Sequence, residues 1–113
     1  MQTFDELVAA ARTQVDELFP WDLTEELAAG ATPLLVDIRE PYEYATMHVA
    51  GSINVPRGIL ETACEWDYEE TVPELAGGRD RDIVLLCRSG NRTVLAAQVM
   101  KWMGFARLVT MDL

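Results

Sequence analysis

The chemistry in this chain is concentrated in Cys87-Arg88-Ser89-Gly90-Asn91-Arg92-Thr93. A cysteine opens the stretch, two arginines follow within five residues, and a glycine lies between them. Ile83 to Leu86, just before it, is a continuous apolar run of the kind found in a strand covered on both faces. From Thr93 the spacing turns helical, with Val94, Ala97, Val99 and Met100 apolar and Gly104 placed to stop the helix. A loop joining a strand's carboxyl end to a helix start gathers backbone N–H groups into a nest, and the positive helix end adds to it. Such a position favours an anion. The same surroundings lower a cysteine pKa from ~8.5 towards ~3.5–7.5. Cys87 is therefore read as a nucleophilic thiolate. A buried structural cysteine is the plain alternative, since free Cys behaves as a small hydrophobe, but an apolar site would not gather two guanidinium groups.

A second group of candidates ends the run Leu34-Leu35-Val36-Asp37-Ile38-Arg39. Binding groups collect at the carboxyl ends of strands in open parallel sheets, so Asp37 and Arg39 are candidates for the rim of the same site. A surface ion pair, for instance with Glu43, accounts for them equally well. His48 is the single histidine. A thiolate already depressed in pKa needs no general base, and His48 is read as structural. Cys64 would be a resolving thiol only beside Cys87 and is read as a bystander. Trp66 and Tyr68 either wall the site or edge the core.

The whole chain bounds these readings. Its 113 residues suffice for one domain with a single core. Half of them are apolar and 25% are charged, an ordinary globular composition. No run approaches the ~20 apolar residues of a membrane span. Asp5 and Glu6 stand where a signal peptide is basic, and two cysteines at unlike sites make no disulfide framework, so a cytoplasmic protein is expected. A net charge of −10 argues against nucleic acid or an anionic membrane as partner. An anionic substrate would be repelled by that field unless Arg88 and Arg92 reverse it locally.

The elements that must position the loop follow in order. Residues 3–19 carry an apolar stripe of Phe4, Leu7, Val8, Ala11, Val15, Leu18 and Phe19 behind a Thr3–Glu6 capping box, which predicts an amphipathic helix ended by Pro20. Trp21 to Leu23 is expected as an edge strand, then a brief helix, Glu25 to Ala29, capped by Thr24 and closed by Gly30. A strand follows over Leu34 to Arg39, then a helix from Pro41 to Met47 and a short strand within His48 to Pro56. Arg57 to Cys64 is read as helical, Gly77-Gly78 as a turn, and Phe105 to Met111 as a last strand. This alternation implies an α/β fold, a mostly parallel central sheet with helices on both faces.

Leu35-Val36-Asp37-Ile38-Arg39-Glu40, Glu43-Tyr44, His48 to Pro56 and Cys87 to Thr93 together resemble the rhodanese domain, in that order and spacing. The likeness runs from residue 21 to 113, with residues 1–20 as a helical extension. It implies a rhodanese-like fold in which Cys87 is the sulfur-carrying nucleophile. Arg88, Ser89, Gly90, Asn91, Arg92 and Thr93 would form the anion cradle, with Asp37 and Arg39 in support. By resemblance Cys87 attacks the outer sulfur of thiosulfate, sulfite leaves, and a persulfide passes its sulfur to cyanide, a thiol or a protein acceptor. No cofactor and no metal is implied.

Other readings stay open beside it. Some phosphatases share the fold but cradle phosphate in a loop with arginine six places after cysteine, where this chain has Thr93. A non-catalytic partner-binding module of the family commonly lacks the cysteine or the basic residues, and both are kept here. Met47 stands where the family often has glycine. The chain ends at Asp112-Leu113 where relatives continue into a helix, which predicts an exposed apolar patch or self-association.

Overall fold

The computed structural model describes residues 1–88 and 91–113. Five parallel strands form one sheet: β1 (Asp16–Glu17), β2 (Leu34–Asp37), β3 (Ile53–Asn54), β4 (Ile83–Cys87) and β5 (Leu108–Asp112). Their spatial order is β1-β5-β4-β2-β3. The helices are α1 (Phe4–Arg12), α2 (Pro20–Ala28), α3 (Pro41–Thr46), α4 (Leu60–Ala63), α5 (Pro73–Ala76) and α6 (Asn91–Trp102), with a 3₁₀ turn at Arg57–Ile59. None of the described helices is long and apolar enough to cross a membrane.

Every residue of β2 and of β4 is buried, as the apolar runs predict for strands covered on both faces. Alternate side chains go to opposite faces. Leu34, Val36, Ile83 and Leu85 join the larger cluster with α1, α4, α5 and α6, while Leu35, Val84 and Leu86 join a smaller one with Leu23 of α2. Burying each such aliphatic side chain contributes about 1.5–3 kcal/mol, which makes these two strands the spine of the fold.

The amino-terminal segment departs from expectation. The helix over 3–19 stops at Arg12, and Asp16–Glu17 becomes an edge strand hydrogen-bonded to β5. Thr3 does cap α1, accepting from the Glu6 N–H at 3.2 Å. Beyond Arg12 the apparent helical stripe is a coincidence of spacing, because Val15 packs in the larger cluster and Leu18 against the smaller one. Phe4, Leu7 and Phe19 of that stripe are exposed. Pro20 does not end a helix but begins α2, with the Asp22 carboxylate accepting the Phe19 N–H at 3.2 Å. The edge strand expected at Trp21 to Leu23 is thus helical, and Thr24 lies inside α2 with its hydroxyl on the Pro20 carbonyl. Gly30, at φ +95°, closes the turn after α2 as expected. Other boundaries move less: α6 starts at Asn91 rather than Thr93, and the last strand runs Leu108–Asp112.

β2 ends in a brace. The Arg39 guanidinium turns back onto Asp37, with Nη2 2.8 Å from Oδ2 and Nε 3.1 Å from each carboxylate oxygen. The Arg39 backbone N–H donates to the same carboxylate, and Nη2 also donates to the Met47 carbonyl at 2.7 Å. Asn54 of β3 donates to the carbonyls of both Asp37 and Arg39 at 3.0 Å. Asp37 is fully buried, so removing it strands a guanidinium that has little access to water. Asp37→Ala is expected to lower stability by about 3–5 kcal/mol in urea unfolding; a loss below ~1 kcal/mol would show the pair to be worth no more than a surface ion pair. The smaller cluster is also incompletely covered: a groove of ≈ 650 Å³ lies open along Leu18, Ala29, Pro33, Val84 and Val109. A hydrophobic dye is expected to gain fluorescence there and to lose the gain in Val109→Glu. Fluorescence that does not respond to wild-type protein would mean the groove is closed in solution.

Candidate active site

Cys87 is the last residue of β4 and Asn91 the first of α6, so the thiol stands between a strand's carboxyl end and the amino end of a 12-residue helix. The positive end of that helix's dipole lies at the carboxyl end of β4. Cys87 is fully buried, with its Cα opposite Asp112 of β5 and its carbonyl accepting the Leu113 N–H at 2.8 Å. Arg88 and Arg92 are exposed, Asn91 is half-buried and Thr93 is buried. Ser89 and Gly90, also expected in the cradle, lie outside the described residues.

Asp37 and Arg39 come to the same end of the sheet, since Asp37 ends β2 and β2 pairs with β4. The ion pair they form is with each other rather than with Glu43, whose carboxylate accepts the Glu40 N–H at 3.1 Å. Hydrogen bonding to Asp37 raises the Arg39 pKa, opposed by burial and reinforced by the charges of Asp37, Glu43 and Cys87. The pairing of β2 with β4 holds this guanidinium at the same end of the sheet as Cys87. Arg39 is thus the brace at the end of β2 and a candidate for the positive surroundings of the thiol.

The charge distribution around the loop is uneven. Five arginines are committed to carboxylates: Arg12 to Glu17, Arg39 to Asp37, Arg57 to Glu61, Arg79 to Glu65 and Arg107 to Asp82. Among the described residues neither Arg88 nor Arg92 has an ion-pair partner, and Arg81 is the other arginine in that state. Two arginines with no ion-pair partner among the described residues therefore follow the cysteine in a chain of net charge −10. Unpaired cations in an acidic chain favour a small anion nearby.

The remaining candidates sort plainly. His48 is tied to structure, Nδ1 lying 2.7 Å from the Tyr44 carbonyl and the ring stacked on Tyr44 at 3.8 Å between centroids. Cys64 is buried, and burial pushes its thiol up to about 11, against a lowering by Arg79. Trp66 and Tyr68 are exposed in the turn between α4 and α5. Sequence reasoning missed Arg12, whose Nη2 donates to the Asn91 side chain at 2.9 Å, and Asp112, the neighbour of Cys87 across the sheet. No local signal marks either, because Arg12 is 79 residues from Asn91.

Comparison with known proteins agrees with this geometry. Residues 20–112 match the rhodanese-like domain model. The chain is 33% identical over 91 residues to the adenylyltransferase and sulfurtransferase uba4 of Aspergillus terreus, a match over 73% of this chain that spans only 19% of that protein's length. It is 29% identical over 97 residues to a sulfurtransferase of Allochromatium vinosum, covering 86% of this chain and 81% of that one. Among solved structures, a Rhodopseudomonas palustris protein of unknown function described as a "possible tyrosine phosphatase" superposes with a TM-score of 0.87 at 24% identity, over 99% of this chain and 85% of that one, a likeness of fold alone. With a parallel α/β sheet, a cysteine at the end of its central strand and sulfurtransferases among its relatives, the chain belongs to the rhodanese-like domain family.

Proposed function

We propose that this protein is a sulfurtransferase that moves sulfane sulfur from thiosulfate, or a similar anionic donor, through a persulfide on Cys87. The observation that carries the reading is the placement of Cys87 between a buried strand end and the start of α6, flanked by two uncompensated arginines. In the first step the Cys87 thiolate attacks the outer sulfur of thiosulfate. A new S–S bond forms, the S–S bond of the donor breaks, and sulfite leaves with its electron pair. In the second step an acceptor nucleophile, cyanide or a thiol, attacks the terminal sulfur and returns Cys87 to the thiolate.

Arg88 and Arg92 draw in the doubly charged donor and stabilise departing sulfite. The loop after Cys87 and the α6 amino end would stabilise the persulfide anion. Asp37 and Arg39 support the site from β2. The names of relatives that join sulfurtransferase to adenylyltransferase support a protein acceptor beside small thiols. Both cysteines are free, which suits a reducing, cytoplasmic setting. Phosphate transfer is the second reading, prompted by the description of the Rhodopseudomonas palustris relative in fold. It fits less well, because the position six places after Cys87 is Thr93 rather than arginine.

Cys87→Ser is expected to abolish thiosulfate-dependent sulfite release with the unfolding midpoint little changed, and Cys64→Ser to keep most activity. Since the Cys64 thiol is pushed up to about 11, iodoacetamide at pH 8 is expected to label Cys87, the proposed nucleophile, first. Activity lost with Cys64 and kept with Cys87 would sink the assignment.

Arg88→Ala and Arg92→Ala are each expected to raise KM for thiosulfate about tenfold, the size of one lost charge-assisted contact, with little loss of stability. Raising ionic strength from 0.05 to 0.5 M should slow the wild-type donor step and slow the variants less. Identical salt dependence in all three proteins would show that the arginines do not act on the donor.

A further inference from the structure

The rhodanese-like match begins at residue 20, yet a residue before it reaches the Cys87 loop. Arg12, the last residue of α1, divides its guanidinium between two elements: Nη1 pairs with Glu17 of β1, and Nη2 donates to Asn91 Oδ1 of α6 at 2.9 Å. The helix is anchored for this reach. Just beyond its end, the Gln14 carbonyl accepts from Lys101 Nζ at 2.7 Å, and Gln98 donates to the Gln14 side chain at 3.2 Å. Thus α1 lies along α6 and cannot withdraw Arg12 independently.

Two carboxylates meet at this corner. Glu17 pairs in register with Thr110 of β5, and Asp112 lies opposite Cys87. Burial holds the Asp112 pKa up, the Glu17 charge adds to that, and Arg12 opposes it, so all three groups share one electrostatic neighbourhood. Without Arg12, Glu17 and Asp112 would present uncompensated negative charge beside the strand end that carries the sulfur. Asn91 would also lose the partner that fixes its side chain at the exit of the loop.

We propose that Arg12 is a positioning residue for the Cys87 site, holding the Asn91 side chain and offsetting the charge of Glu17 and Asp112 so that an anionic sulfur donor meets a more positive potential at Cys87. The proposal rests on the sulfur-transfer reading for its substrate, while the local potential it describes does not.

Two measurements test it together. In thiosulfate:cyanide kinetics, Arg12→Ala should raise KM for thiosulfate about tenfold, as expected for one lost charge-assisted contact, with kcat changed less than about twofold. Arg12→Lys keeps the charge without the two-armed fork and should fall between wild type and Arg12→Ala. Glu17→Gln removes one of the opposing carboxylates and should leave KM unchanged or lower it. Separately, the ratio of Cys87 alkylation rates by anionic iodoacetate and neutral iodoacetamide should fall several-fold in Arg12→Ala, a readout that needs no transferase activity. If wild-type protein lacks sulfur transfer but this ratio still falls, the functional reading fails and Arg12's role stands. If the ratio is the same in wild type and Arg12→Ala, or Glu17→Gln raises KM as Arg12→Ala does, the proposal is overturned. Should Arg12→Ala not fold, an Arg12→Lys ratio and KM equal to wild type would overturn it.

Discussion

The site depends on the point at which the chain reverses its progress across the sheet. From β2 it moves outward to β3, then returns past β2 to β4 and continues in the new direction to β5. Connections leaving adjacent strands in opposite directions open a crevice beyond their carboxyl ends. Here the two strands are β2 and β4, paired from Leu34↔Ile83 to Asp37↔Leu86. The brace of Asp37 and the sulfur of Cys87 therefore come to the same end of the sheet by topology, before any side chain is chosen. Register is equally constrained. Slipping β4 by one residue would exchange Leu85 with Leu86 between the two cores and turn Cys87 away from the face covered by α6.

Electrostatics then distinguish this crevice from the rest of the surface. The chain is strongly acidic, and most of its arginines are neutralised locally by a carboxylate. Arg88 and Arg92 are not paired among the described residues, and the amino end of α6 points the same way. Fields from exposed charges fade over ~8–10 Å at ordinary ionic strength. A small anion close to the loop thus responds to these cations more than to distant carboxylates. Arg39 adds a positive charge at the same end of the sheet, held by Asp37 rather than free to swing away. Such fixed groups lose little on reorganising when charge develops nearby.

The amino-terminal segment shows how an element outside a family's shared core joins a site without changing it. β1 adds only two residues to the sheet edge, and α1 buries Val8 and Ala11 against the larger core. Those modest contacts still place a guanidinium at the first residue of α6. The geometry follows from parallel packing, because the helix covering β4 and β5 must begin at the carboxyl end where Cys87 stands.

The spine of the protein was legible in the amino-acid order. Leu34 to Asp37 and Ile83 to Cys87 announce buried strands because parallel strands are covered on both faces. Motif order extended this to the fold, since several short patterns at fixed separations constrain topology more than any one of them. What tertiary structure decided were contacts with no local signature. Val15 and Leu18 mimic a helical stripe but pack on opposite faces of the sheet, because β5 offers an edge whose hydrogen-bonding groups a two-residue strand satisfies. Pro20 and Asp22 open a helix where an edge strand was expected, since that edge is already occupied. The partner of Arg39 proved to be Asp37 rather than Glu43, because the chain doubles back within two residues. Arg12 found Asn91 across 79 residues, a pairing set by how α1 lies on α6 and therefore absent from any window of sequence short enough to carry a period.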